Sequence, residues 1–162
     1  VTTLAQLLSR SIDLATESVH RGGGPFGAVV ARATSVDDQW EVVAEGANRV
    51  VPDLDPTAHA EVVALRAAAV ALQRFDLAGT VLVASCEPCP MCLAAGLWAR
   101  LDAIWFAATR DDAAAAGFDD LAFYTAFDTP REQWDVPVRR LGVAHPRAPF
   151  EAWSRHSQRV AY

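Results

Sequence analysis

A three-layer α/β/α domain is the fold class this sequence predicts, and three observations predict it. Five short segments, at residues 26–33, 40–47, 80–84, 101–107 and 136–142, have the length and apolar content of strands. Helical patterns separate most of them, and strands alternating with helices at these lengths indicate a sheet covered by helices. The chain has 162 residues, 52% of them hydrophobic and 21% charged, enough for one domain with a full core.

The first helix is expected over residues 4–20, where Leu4, Leu7, Leu8, Ile12, Ala15 and Val19 recur close to the helical period. Arg21-Gly22-Gly23-Gly24-Pro25 ends it. Residues 26–33 read as a strand, and a polar turn at residues 35–39 joins them to the strand at 40–47 as a hairpin. Residues 53–57 form a loop. An Ala- and Leu-rich helix follows over residues 58–75, with His59 and Glu61 in its first turn. The run at residues 80–84 is that of a buried strand. Residues 89–99 then make a helix that tolerates Pro90 in its first turn. A strand at 101–107, a short Ala-rich helix near 111–116, a last strand at 136–142 and a terminal helix at 148–160 complete the reading. Periodicity does not fix the order of the strands.

Charge and composition narrow the function. Fourteen Lys and Arg against twenty Asp and Glu give a formal net charge of -6. That balance disfavours a protein devoted to a phosphate backbone and suits a small, largely uncharged substrate. No apolar run approaches the roughly 20 residues that span a bilayer, so no membrane role is expected and a cytoplasmic location is the default. The three cysteines, Cys86, Cys89 and Cys92, crowd into one short stretch, which points to a metal rather than a disulfide framework.

His59-Ala60-Glu61 and Pro88-Cys89-Pro90-Met91-Cys92 carry the chemistry. One imidazole and two thiolates make three zinc ligands and leave a fourth tetrahedral position for water, as in a catalytic site. The combination of HxE with a later PCxxC is the signature of zinc nucleobase deaminases. Cys89 and Cys92 are three positions apart on a helix and so share a face. Helix N-termini favour thiolates and the carboxylate of Glu61. Zinc lowers the pKa of water toward neutrality. Glu61 can take a proton from that water and pass it to a ring nitrogen and then to the departing amine. With the ligand set complete, Cys86 reads as a small buried residue at a strand end.

The chain resembles the cytidine deaminase-like superfamily, and within it the small bacterial guanine deaminases. The matching segments are residues 24–30, 55–61, 85–92 and 115–120, with the Pro149-Phe150-Glu151-Ala152-Trp153 stretch and the end at Tyr162. The zinc segments are shared with deaminases of cytosine and of transfer RNA adenosine. The Ala116-Gly117-Phe118-Asp119-Asp120 stretch and the aromatic C-terminus lean toward guanine. Residues 139–148 match the family least.

The resemblance implies a central five-stranded mixed sheet and a homodimer in which the C-terminal segment is exchanged to complete the partner's site. It implies that Asn48 hydrogen-bonds the base, that Phe26 and the His59 ring sandwich it, and that Trp98 forms a further wall. Asp112 would accept hydrogen bonds from the amidine-like edge, Ala60 would join the substrate contacts, and Tyr162 would close the pocket. Each has a plainer reading: Asn48 as a turn residue, Phe26 as core, Asp112 as a helix cap in competition with Asp111, and Tyr162 as a free end.

The expected function is zinc-dependent hydrolysis of guanine to xanthine and ammonia. The alternatives are another small substrate, such as cytosine, guanosine or ammeline, then a transfer RNA adenosine deaminase. The last needs a basic surface and flanking-nucleotide contacts. Outside catalysis, a zinc-stabilised binding domain competes, but Glu61 beside a three-ligand centre argues against it.

Overall fold

The structure is a computed structural model and describes residues 2–118 and 120–161. Helix α1 (Leu4–His20) starts where expected, because Thr3 and Gln6 close a capping box on its first turn. Leu7, Ser11, Leu14, Ala15 and Ser18 form its buried face. Strands β1 (Gly27–Ala33) and β2 (Trp40–Ala47) make the predicted hairpin, with a register shift between Val30 and Ala31. A short helix α2 (Val50–Asp53) precedes α3 (Ala60–Leu72). The remaining elements of the first unit are β3 (Thr80–Cys86), α4 (Pro90–Trp98), β4 (Ala103–Ala108) and α5 (Arg110–Ala115).

The sheet order is β2-β1-β3-β4. Strand β1 runs antiparallel to both β2 and β3, whereas β3 and β4 are parallel, so the sheet is mixed. Every residue of β3 is buried, as expected of a central strand covered on both faces. Side chains alternate strictly between two cores. Ala28, Val30 and Leu82 pack with Ala60, Ala64, Leu65 and Ala68 of α3. Val29, Ala31, Val81 and Val83 pack with Leu7 and Leu14 of α1. The three-layer reading of the sequence therefore holds.

The five-stranded sheet does not hold. Among the described residues the sheet has four strands, and residues 136–142 form none. Val136 and Val138 alternate as a strand would, but Arg139 and Arg140 then break the pattern. Val136, Val138 and Leu141 are all exposed, so the segment lacks the buried face that would fix a register.

The chain divides into two compact units, Val1–Leu121 and Ala122–Tyr162. The second contains most of α6 (Leu121–Asp128), which the sequence reading missed, then a 3-10 turn (Arg131–Gln133) and α7 (Ala148–Arg155). Within it, Phe127 and Trp134 meet edge to face at 5.4 Å, and the Trp134 indole donates to the Thr129 carbonyl at 3.2 Å. None of its described residues is buried.

Gly46 sets the position of α3. A Cβ there would lie 2.3 Å from the Ala60 carbonyl oxygen and 2.5 Å from the Ala64 nitrogen, both backbone atoms that cannot step aside. The first turn of α3 therefore rests directly on β2. Gly46→Ala should destabilise the protein by about 1–3 kcal/mol, the usual range for overpacking. Urea denaturation measures this, and an unchanged midpoint would contradict the contact.

Candidate metal centre and active site

His59 and Cys89 occupy equivalent places. Each is the N-cap of a helix, extended at φ -64 and ψ 151 for His59 and at φ -66 and ψ 167 for Cys89. Neither side chain caps its own helix, which leaves the imidazole and the thiol to turn elsewhere. They turn to each other. Cys89 Sγ and Cys92 Sγ each lie 3.6 Å from His59 Nδ1, and the two sulfurs are 3.6 Å apart.

That triangle fits a single metal ion. A tetrahedral zinc bonds sulfur near 2.3 Å and nitrogen near 2.0–2.1 Å, which sets sulfurs about 3.8 Å apart and sulfur about 3.6 Å from nitrogen. No other group of three or more metal-ligating side chains occurs among the described residues. Binding through Nδ1 places the remaining imidazole proton on Nε2.

The electrostatics agree with a cation site. The Cys89 thiol is held down to about 4, first by its hydrogen bond with Cys92 and then by His59, against the effect of burial. Cys92 is pushed up, first by that same bond with Cys89 and then by burial and the Glu61 charge. The directions oppose because the two sulfurs compete for one proton. A dication stabilises both thiolates together. The hydrogen bond with Cys89 raises His59, and burial works against it.

Glu61 follows His59 in the first turn of α3 and is only 6% exposed. Burial raises the pKa of its carboxyl and the Cys89 charge adds to this, while the His59 charge opposes it. A buried carboxyl with a raised proton affinity beside a metal centre suits proton transfer.

A cavity of ≈ 310 Å³ opens onto the centre. Phe26, Asn48, His59, Glu61 and Cys89, all singled out from the sequence, line it. Asn48 is held from several sides. Its backbone N–H donates to Phe26 O, and its carbonyl accepts from Ser18 Oγ. Its Oδ1 accepts from the backbone N–H of Gly24 at 3.3 Å and of Val50 at 3.2 Å. These contacts fix the orientation of the amide and leave Nδ2 as the donor for a ligand.

Other expected residues lie elsewhere. Trp98 is 63% exposed at the end of α4, with the Arg100 guanidinium 5.8 Å from its ring centre. Asp112 closes the capping box of α5, accepting from Thr109 N and Thr109 Oγ1 at 2.8 Å each. Ala60 is fully buried in the core beside β1. Tyr162 lies outside the described residues.

The sequence model of the cytidine and deoxycytidylate deaminase zinc-binding region matches residues 1–108. The chain belongs to this zinc-binding deaminase family. Zinc is its metal, held by His59, Cys89 and Cys92. Guanine deaminase from Bacillus subtilis (strain 168) is 43% identical over 156 residues, 96% of each chain. The X-ray structure of guanine deaminase from Bacillus subtilis superposes with a TM-score of 0.90 at 42% identity, over 98% of each chain. The solved protein NE0047, in complex with 2,6-diaminopurine, has a TM-score of 0.67 at 34% identity, over 74% of this chain and 64% of its own. The deaminase is thus a zinc aminohydrolase of the guanine-deaminase-like kind.

Three parts of the deaminase cavity escaped the residue-level reading. Asp120 lines it, and burial followed by the Cys89 charge raises its pKa. Phe118 lines it and meets Phe26 edge to face, with ring centres 5.1 Å apart at 88°. Glu87 and Arg110 line it as an ion pair. The available signal was Gly117, at φ +91, which turns the chain after α5 so that Phe118 and Asp120 leave the helix direction. Among the described residues, no helix is long and apolar enough to cross a membrane.

Proposed function

We propose that this deaminase hydrolyses guanine to xanthine and ammonia. The observation that carries this reading is the cavity in which the zinc ligands His59 and Cys89 and the carboxyl of Glu61 meet a fixed amide donor, an acidic acceptor and an aromatic ring. Guanine presents a carbonyl oxygen, ring N–H groups and a flat face around the carbon bearing its amino group. Asn48 Nδ2 donates to the carbonyl, Asp120 accepts from N–H groups, and Phe26 covers the ring face. The relatives support the same substrate, because the likeness to guanine deaminase runs through the C-terminal third as well as the zinc segments. A purine bound in a relative of 34% identity is consistent with a purine-sized site.

Bound zinc supplies Lewis acidity that brings the pKa of water near neutrality. The chain's own residues do the rest. Glu61 takes one proton from the attacking water and places it on the ring nitrogen next to the reacting carbon. Its carboxylate then takes the second proton from the new hydroxyl and gives it to the departing amine. One C–O bond forms, one C–N bond breaks, and water enters as ammonia leaves. Burial of Glu61 raises its hold on the proton between these transfers.

We also propose that the enzyme acts as a homodimer whose C-terminal segment, ending at Tyr162, completes the partner's site. The support is that residues 122–161 bury no side chain, although Phe123, Phe127, Phe150 and Trp153 are large and apolar. A segment of this size without a core needs an outside surface. Mixing Glu61→Gln subunits with subunits lacking the last few residues should restore activity that neither has alone. No restoration after confirmed subunit exchange would contradict the exchange.

A panel of guanine, guanosine, cytosine, adenine and ammeline, read by ammonia release, tests the substrate. Guanine should give the highest kcat/KM. A tenfold preference for another member, equivalent to about 1.4 kcal/mol of transition-state stabilisation, would overturn the assignment.

A further inference from the structure

Glu87 stands two positions before the ligand Cys89, yet its carboxylate is committed to α5. It accepts from the Arg110 backbone N–H at 3.1 Å, from Arg110 Nε at 3.0 Å, and from a second nitrogen of the same guanidinium. Only 17% of its side chain is exposed. The neighbouring contacts run the same way. The Glu87 N–H donates to the Ala108 carbonyl at 2.9 Å, and the Cys86 thiol donates to the Thr109 carbonyl at 3.5 Å.

These bonds tie the turn that carries Cys89 to the start of α5. Helix α5 spans only Arg110–Ala115, too short to be held by its own ladder. Its far end leads through Gly117 to Phe118 and Asp120, which line the cavity. Phe118 in turn braces Phe26. A shift at Arg110 therefore passes directly to the substrate wall, and a misplacement of about 1 Å can cost about a hundredfold.

We propose that Glu87 and Arg110 are a positioning pair: Glu87 anchors the start of α5 and so sets the distance between the Cys89 side of the cavity and its Phe118–Asp120 wall. The pair belongs neither to the His59–Cys89–Cys92 triangle nor to the proton-transfer group Glu61, so its effect falls on substrate affinity more than on the proton transfers. This rests on the reading of the cavity as the guanine site.

The test combines Glu87→Ala, Arg110→Ala and the double variant with the milder Glu87→Gln and Arg110→Lys, all zinc-loaded. Each should keep one zinc per chain. Glu87→Ala should lower kcat/KM for guanine by about tenfold or more, chiefly through KM, and the double variant should be no worse than the worse single. Glu87→Gln, which still accepts from the Arg110 backbone, should recover part of the loss. The same order should appear in guanine binding to a Glu61→Gln background, which needs no turnover. A KM within twofold of the parent in Glu87→Ala, full additivity in the double variant, or loss of zinc in Glu87→Gln would each overturn the pair's role. A parent that prefers another substrate would overturn the guanine assignment instead, and the pair is then judged by the same KM pattern on that substrate.

Discussion

Glu61→Gln should keep its zinc and lose turnover by about a hundredfold or more, the usual worth of a positioned acid-base group. Gln preserves the volume of a side chain that is 6% exposed, so the core around Ala60, Ala64 and Ala68 has no reason to rearrange. The metal triangle of His59, Cys89 and Cys92 does not include Glu61 and should stay intact. What the amide cannot do is take a proton from water and return it to the leaving amine. The loss should fall on kcat, with guanine binding little changed, because the carboxylate acts in the transition state. Steady-state kinetics with metal analysis checks both halves. Turnover near that of the parent, in protein shown to hold zinc, would move the proton transfers to another group.

Removing a ligand should be still more damaging. Cys89→Ala or His59→Ala leaves two protein ligands where the site has three and should lose most of the zinc. Activity should fall with it to the level of the metal-free protein. Cys89 and His59 are N-caps at the surface of the cavity, so the sheet and its two cores should survive. Elemental analysis beside far-UV circular dichroism separates metal loss from unfolding. A Cys89→Ala protein that keeps full zinc and activity would contradict the ligand set.

The metal centre was legible because its chemistry fixes both residue types and spacing. A PCxxC on a helix start allows few readings, and HxE supplies the third ligand with its carboxylate. The three layers were legible from strands alternating with helices, and the unbroken apolar run Ala28–Ala31 is indeed covered on both faces. The fifth strand was not: residues 136–142 offer only local alternation, and a strand also needs a partner that periodicity does not name. Which aspartate of residues 111–120 faces the cavity was not legible, because a helix cap and a cavity carboxylate look alike in sequence. The structure engages the Asp112 carboxylate with Thr109 as a helix cap, and Asp120 lines the cavity. Glu87 was hidden because its partner, Arg110, is distant in sequence and becomes adjacent only through the parallel pairing of β3 with β4.

The most direct measurement is product analysis of zinc-loaded protein incubated with guanine in water enriched in heavy oxygen. Hydrolysis at the His59–Cys89–Cys92 centre predicts xanthine carrying a single heavy oxygen atom from solvent and one ammonia released per xanthine formed. Neither should appear with Glu61→Gln on the same timescale. Guanine recovered unchanged by the zinc-loaded parent, or xanthine formed at an equal rate by Glu61→Gln, would contradict the account.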